Sequence, residues 1–132
     1  MPDQPRHTFS KQERMTSRKL MEQLFAGGRR SMSAFPLRAV FMTMAREEGA
    51  APVQVLISVS KRHFKRAVKR NRVKRQIREA YRLNKQILWE ALASKPTEAL
   101  AVALLWQADD LRDTAEVERS LVSLLHRIAE KL

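Results

Sequence analysis

The sequence has no cysteine, three glycines and one tyrosine, and its 14 acidic residues face 26 Lys and Arg. Without cysteine there is no disulfide and no thiolate chemistry, a composition that suits a reducing cytoplasm. So few glycines leave no Gly-rich phosphate loop, and the one pair, Gly27-Gly28, reads as a helix stop. No stretch approaches the ~20 apolar residues of a membrane span. The amino-terminal MPDQPRHTFSKQER lacks the apolar centre of a secretion signal, so the cytoplasm is the expected location.

What is present is positive charge, and it is concentrated. KRHFKRAVKRNRVKRQIREAYRLNK (Lys61–Lys85) holds twelve Lys and Arg and one acid, Glu79, and so carries +11 of the chain's +12. The rest is close to neutral. Affinity for a polyanion grows with the number of cations one surface presents together, because each neutralised phosphate releases condensed counterion. Acids at i,i+4, which normally lace a solvated helix face, are missing from this segment. A membrane-surface or calmodulin-target helix would want bulky aromatics opposite the cations, and this one offers only Tyr81. Nucleic acid is the expected partner.

At 132 residues the chain is expected to form a single domain, 1–132, with a modest core. Residues 1–16 are polar and expected to be flexible, apart from a capping signal at Ser10-x-x-Glu13. A helix starting near Ser17 carries Leu20, Met21, Leu24 and Phe25 as an apolar stripe and stops at Gly27-Gly28. RRSMSAFP reads as a loop. Leu37–Ala45 and Val53–Ser60 read as strands; in the second, Val53, Val55, Ile57 and Val59 face the core while Gln54, Leu56, Ser58 and Ser60 face the other way.

The apolar phase of Val73, Ile77, Ala80, Tyr81, Ile87, Leu88 and Ala91 predicts a helix over 72–92, with Arg72, Lys74, Arg75, Arg78, Arg82 and Lys85 on the opposite side. Phe64, Ala67 and Val68 are out of phase, which places a break before Val73 with Asn71 as N-cap. Cations crowded at a helix N-terminus oppose its dipole, and an external anion would relieve them. Glu98–Trp106 reads as a buried strand. After turn and cap residues Asp109, Asp110 and Asp113, Val117, Leu121, Leu124, Leu125 and Ile128 mark a closing helix. The predicted order is α-β-β-α-β-α, an α+β fold with a small sheet packed against helices.

Candidate catalytic groups are few. His7, His63 and His126 lack ligand partners at metal-binding spacing and read as surface residues. Asp109, Asp110 and Asp113 are explained by turn and cap duty before Mg²⁺ is invoked. Ser58 and Ser60 have no base nearby in sequence, and Trp89 and Trp106 read as core or sheet-edge residues. Phe25 has two readings: core, or the border of a groove that contacts nucleotides. No catalytic residue and no metal site is predicted.

VSKRHFKRAVKRNRVKRQIREAYR (Val59–Arg82) closely resembles the signature of the bacterial ribonuclease P protein subunit, through Ser60-Lys61-Arg62, Arg70-Asn71-Arg72, Lys74-Arg75 and Ile77-Arg78-Glu79-Ala80-Tyr81. MEQLFAGG (Met21–Gly28) is similar to that family's first helix and its stop. The resemblance implies a ribosomal-protein-like fold with a left-handed β-α-β crossover, where the general rule would give a right-handed one. It implies a cofactor of a catalytic RNA that removes 5′ leaders from precursor tRNA, with Mg²⁺ held mainly by the RNA and chemistry carried by the RNA. The partners it implies are that RNA and precursor tRNA, with no membrane and no DNA. By position, Lys61, Arg62, Arg66, Arg70, Asn71, Arg72, Lys74 and Arg75 would face the catalytic RNA. Met21, Phe25, Phe41, Leu56, Ser58 and Ser60 would form the groove for the leader, with Arg38 adjacent. The family often has an aromatic where Met21 stands, and basic residues where Trp106-Gln107-Ala108 stand. The rivals are a ribosomal or ribosome-assembly RNA-binding protein with no role in cleavage, and a helix-in-groove DNA binder, for which no helix-turn-helix or dimer signature is present.

Overall fold

The computed structural model describes residues 9–26 and 30–132. The elements are a 3₁₀ turn at Lys11–Glu13, α1 (Arg18–Ala26), β1 (Arg30–Ala34), β2 (Leu37–Ala45), β3 (Val53–Ser58), α2 (Ala67–Asn84), α3 (Gln86–Ala93), β4 (Glu98–Trp106) and α4 (Thr114–Lys131). The strands form one mixed sheet in the order β1-β2-β4-β3, with β4 antiparallel to β2 and parallel to β3.

Alternation along the strands gives the sheet two unlike faces. The inner face presents Leu37, Ala39, Phe41, Val53, Val55, Leu100, Val102, Leu104 and Trp106. It packs against Val73, Ile77 and Tyr81 of α2, Leu88 and Leu92 of α3, and Val117, Leu121, Leu124, Leu125 and Ile128 of α4. Among the described residues, the outer face is covered by α1, whose buried Leu24 meets Val40, Ala101 and Ala103, together with Met15 from the preceding segment. Small side chains on β4 let a single short helix lie close to the sheet.

The expected strand at 37–45, the strand at 98–106 and the closing helix are observed as expected. At the start of α1, Ser17 Oγ accepts the Leu20 N–H at 3.2 Å, while the Gly27-Gly28 stop lies outside the described residues. RRSMSAFP is not a loop throughout: Arg30–Ala34 pairs with β2, Met32 and Ala34 turning inward and Ser31 and Ser33 outward. Its serines carry no strand signal, and the pairing with β2 decides the conformation. Between β2 and β3, Gly49 holds φ +80°, which an L side chain would strain.

The helix predicted over 72–92 also differs. α2 begins at Ala67 behind an N-cap at Arg66, so Asn71 lies inside the helix and caps nothing. Phe64 is buried before the helix begins, whereas Ala67 and Val68 lie in a first turn that projects past the core, leaving Val68 79% exposed. The loss of apolar phase therefore marks a turn without a packing partner, not a backbone break. The interruption falls instead at Lys85, between α2 and α3.

Lys85 is not on the cationic face. It is 1% exposed, its Nζ 2.6 Å from Oε1 of buried Glu13 and 4.8 Å from the centroid of the Trp89 ring. Glu13 also accepts the Ser10 N–H at 2.8 Å and completes the capping box anticipated there. Residues 9–15 are thereby held on the free edge of β3: Met15 donates its N–H to Val55 O at 3.0 Å, and the Phe9 ring meets Tyr81 edge-on at 5.7 Å. Burial of Tyr81 raises its hydroxyl pKa, the neighbouring Trp89 indole working in the opposite sense.

Candidate nucleic-acid interface

The basic segment becomes a projecting shelf. Lys61, Arg62, Lys65, Arg66, Lys69, Arg72, Arg75 and Arg78 are exposed, and Lys74 is half-buried. Val73, Ile77, Ala80 and Tyr81 anchor the same helix to the core, so its cations are displayed from a rigid support. Glu79, the one acid here, is bound by Arg82, whose Nε donates to Oε2 at 3.1 Å. The hydrogen bond from Arg82 holds the Glu79 carboxyl below the usual carboxylate range.

Arg70 differs from its neighbours. Its Nη1 donates to the carbonyl oxygens of Phe64 and Lys65, both at 2.8 Å, so this guanidinium ties the β3–α2 loop to the first turn of α2. Asn71 is exposed beside it. Of the eight cation-shelf residues predicted, seven are presented outward or to the side and Arg70 is partly internal to the shelf.

The groove residues divide. Leu56 and Ser58 lie on the outer face, Met21 and Leu56 share the apolar cluster under α1, Ser60 is exposed, and Phe25 on α1 is 43% exposed. Phe41 does not belong with them. It is 2% exposed and packs on the inner face, because position 41 has the opposite strand parity to Arg38, Val40 and Met42. The outer-face residue of β2 at this end is Arg38, which donates from Nε to Ser31 Oγ at 2.9 Å.

Register lines up Ser33, Arg38, Leu105 and Ser58 across the four strands as one row. Arg38, Leu105 and Ser58 in that row remain half-exposed, and Ser58 lies two residues before Ser60 and the shelf. The outer face thus offers a partly polar, partly apolar surface that runs into a cationic one. A crevice of about 150 Å³ opens beside it, between Phe9, Arg14 and Met15 on one side and Leu56, Ile57 and Arg78 on the other. Arg14 escaped the sequence reading, and Arg78 was read only as part of the cationic helix face and its motif, not as the wall of a crevice. Arg14 could have been suspected from the capping box, which signals that the segment around it is ordered.

Among the described residues, no three His, Cys, Asp or Glu side chains gather as a metal-binding group, and no helix is long and apolar enough to cross a membrane.

The family model described as Ribonuclease P matches residues 9–129. The chain belongs to the ribonuclease P protein family. A ribonuclease P protein component from Porphyromonas gingivalis is 42% identical over 121 residues, covering 92% of this chain and 86% of that protein. Another, from Chlorobaculum tepidum, is 38% identical over 115 residues, with 80% and 75% covered. Among solved structures, the ribonuclease P protein of Thermotoga maritima superposes with a TM-score of 0.64 at 22% identity, covering 87% of this chain and 96% of that one. That of Staphylococcus aureus gives 0.63 at 21%, covering 89% and 95%. These two share the α+β fold. Family membership identifies the chain as the protein component of a ribonucleoprotein endoribonuclease, an RNA-binding protein of tRNA 5′-end processing that works with an RNA subunit.

Proposed function

We propose that residues 1–132 act as one RNA-binding domain that docks on the catalytic RNA through Lys61, Arg62, Arg66, Asn71, Arg72, Lys74 and Arg75, with Arg70 shaping the shelf from within. The 5′ leader of precursor tRNA then crosses the outer sheet face, along Met21, Phe25, Leu56, Ser58 and Ser60, with Arg38 supplying a phosphate contact there. The continuity of the open outer-face row with the cationic shelf carries this reading, because Ser58 and Ser60 join the two along one stretch of chain. Single-stranded RNA is held by cations that track its backbone and by apolar or aromatic side chains that meet its bases. Phe25 and Met21 offer the second kind beside the first.

In this reading Mg²⁺ is held mainly by the RNA subunit, which carries the chemistry. This chain's own part is to bind and orient: its fixed cations offset phosphate repulsion between two RNA molecules that must meet. The cytoplasm as location, and a left-handed crossover from β3 through α2 and α3 to β4, belong to the same reading. A ribosome-assembly role without cleavage is the rival.

Precursor tRNA incubated at low Mg²⁺ with a bacterial ribonuclease P RNA separates the two. Added protein is expected to stimulate cleavage at the mature 5′ end. No stimulation, with ribosomal RNA bound as tightly as the ribonuclease P RNA, would sink the proposal.

A further inference from the structure

The surface next to the cationic shelf carries a feature that charge alone makes unfavourable. Asp109, in the loop between β4 and α4, is 85% exposed and sits against the shelf, its Oδ1 2.7 Å from Nδ1 of His63. A carboxylate at this position repels a docking polyanion and lowers affinity. Its geometry indicates what it contributes in return. The His63 side chain is only 7% exposed although Lys61, Arg62, Lys65 and Arg66 around it all reach into solvent. A carboxylate only accepts hydrogen bonds, so the imidazole donates from Nδ1 and its ring is fixed in that orientation.

The same β4–α4 loop is fastened elsewhere. Ala108 is buried, and Gln76 on α2 donates from Nε2 to Arg112 O at 3.0 Å and to Thr114 Oγ1 at 3.2 Å. The loop therefore spans from the β3–α2 connection to the third turn of α2. Within that connection, Ser60 accepts the N–H groups of Arg62 and His63, Phe64 is buried, and Arg70 holds the carbonyls of Phe64 and Lys65.

We propose that the acid-bearing loop between β4 and α4 is a brace for the shelf: Asp109 is a positioning residue that acts through His63 to hold Lys61, Arg62, Lys65 and Arg66 in their docking arrangement. Long cationic side chains on an unfixed loop would have to be ordered upon binding, at an entropic cost that the brace removes beforehand. The ribonuclease P reading enters only in the choice of RNA used as probe.

Charge and positioning make opposite predictions for one substitution. If Asp109 merely repels RNA, Asp109→Ala tightens binding. If it braces the shelf, Asp109→Ala weakens binding to ribonuclease P RNA by about fivefold, the order of one lost hydrogen bond. Asp109→Asn keeps an acceptor oxygen for the imidazole and removes the charge, so it is expected to bind at least as tightly as the wild type. In a cycle with His63→Ala, the double variant is expected to lose no more than the worse single variant. Amide hydrogen exchange of the RNA-free protein supplies a readout independent of which RNA is the true partner. Exchange at His63 and Phe64 is expected to quicken in Asp109→Ala with the thermal midpoint unchanged. Binding as tight as or tighter than wild type in Asp109→Ala, additive losses in the cycle, or unaltered exchange would each overturn the brace. A wild-type protein that ignores ribonuclease P RNA while the exchange result holds would instead count against the proposed function alone.

Discussion

The inner and outer faces of the sheet are built from the same strands and serve different ends. Inside, leucines, valines, Phe41 and Trp106 meet three helices. Outside, β4 offers Ala99, Ala101 and Ala103, one helix lies over them, and Ser33, Arg38, Leu105 and Ser58 continue beyond the apolar patch. Stability is concentrated on the face with large side chains. The other face, with less apolar surface to hide, keeps Ser33, Arg38 and Ser58 open to solvent, where the proposed leader path runs. The same division runs through α2, whose apolar stripe anchors the helix and whose remaining surface displays cations.

Phenylalanine probes this contrast most directly. Phe41→Ala removes an inner-face ring and is expected to lower stability by about 3–5 kcal/mol, measured by denaturant unfolding. A loss below ~1 kcal/mol would mean that Phe41 is not core. Ala103→Leu adds bulk under α1 and is expected to cost about 1–3 kcal/mol, with weaker leader binding as α1 is displaced. Unchanged stability and leader affinity would show that α1 does not rest closely on β4. Phe25→Ala should have the smallest effect on stability, below ~1 kcal/mol for a side chain this exposed. Its effect should fall on affinity for leader-bearing over leaderless precursor tRNA, at about 1–3 kcal/mol if a base stacks there. Equal loss on both substrates would turn Phe25 back into a structural residue.

Much of this division was legible beforehand. Strand alternation marks Leu56 and Ser58 as facing away from Val53 and Val55, and helical phase separates Val73, Ile77 and Tyr81 from Arg72 and Arg75. The placement of Phe41 beside Leu56 broke the same rule, since Arg38 and Phe41 are three residues apart and cannot share a face of β2. β1 was not legible because Arg30–Ala34 has little strand propensity of its own and takes its conformation from β2. Nor was the burial of Lys85, whose partner Glu13 is 72 residues away. Of the segment expected to be flexible, residues 9–15 are packed against β3 and α2 by that contact and by Phe9 and Met15.

By itself the sequence determined that this protein carries a cation-rich helix on an α+β core and a surface for nucleic acid, because local spacing sets both helical phase and charge density; the likeness of its basic motif to the ribonuclease P protein signature narrowed that partner to RNA. Only the tertiary structure decided which charges do which work. Arg70 turns back onto its own loop, Lys85 goes inside to meet Glu13, and His63 leaves the surface for Asp109. The partners of Lys85 and His63 are brought within reach only by chain folding, across 72 and 46 residues, and Arg70 meets its nearby carbonyls only because the loop before α2 folds back on the helix.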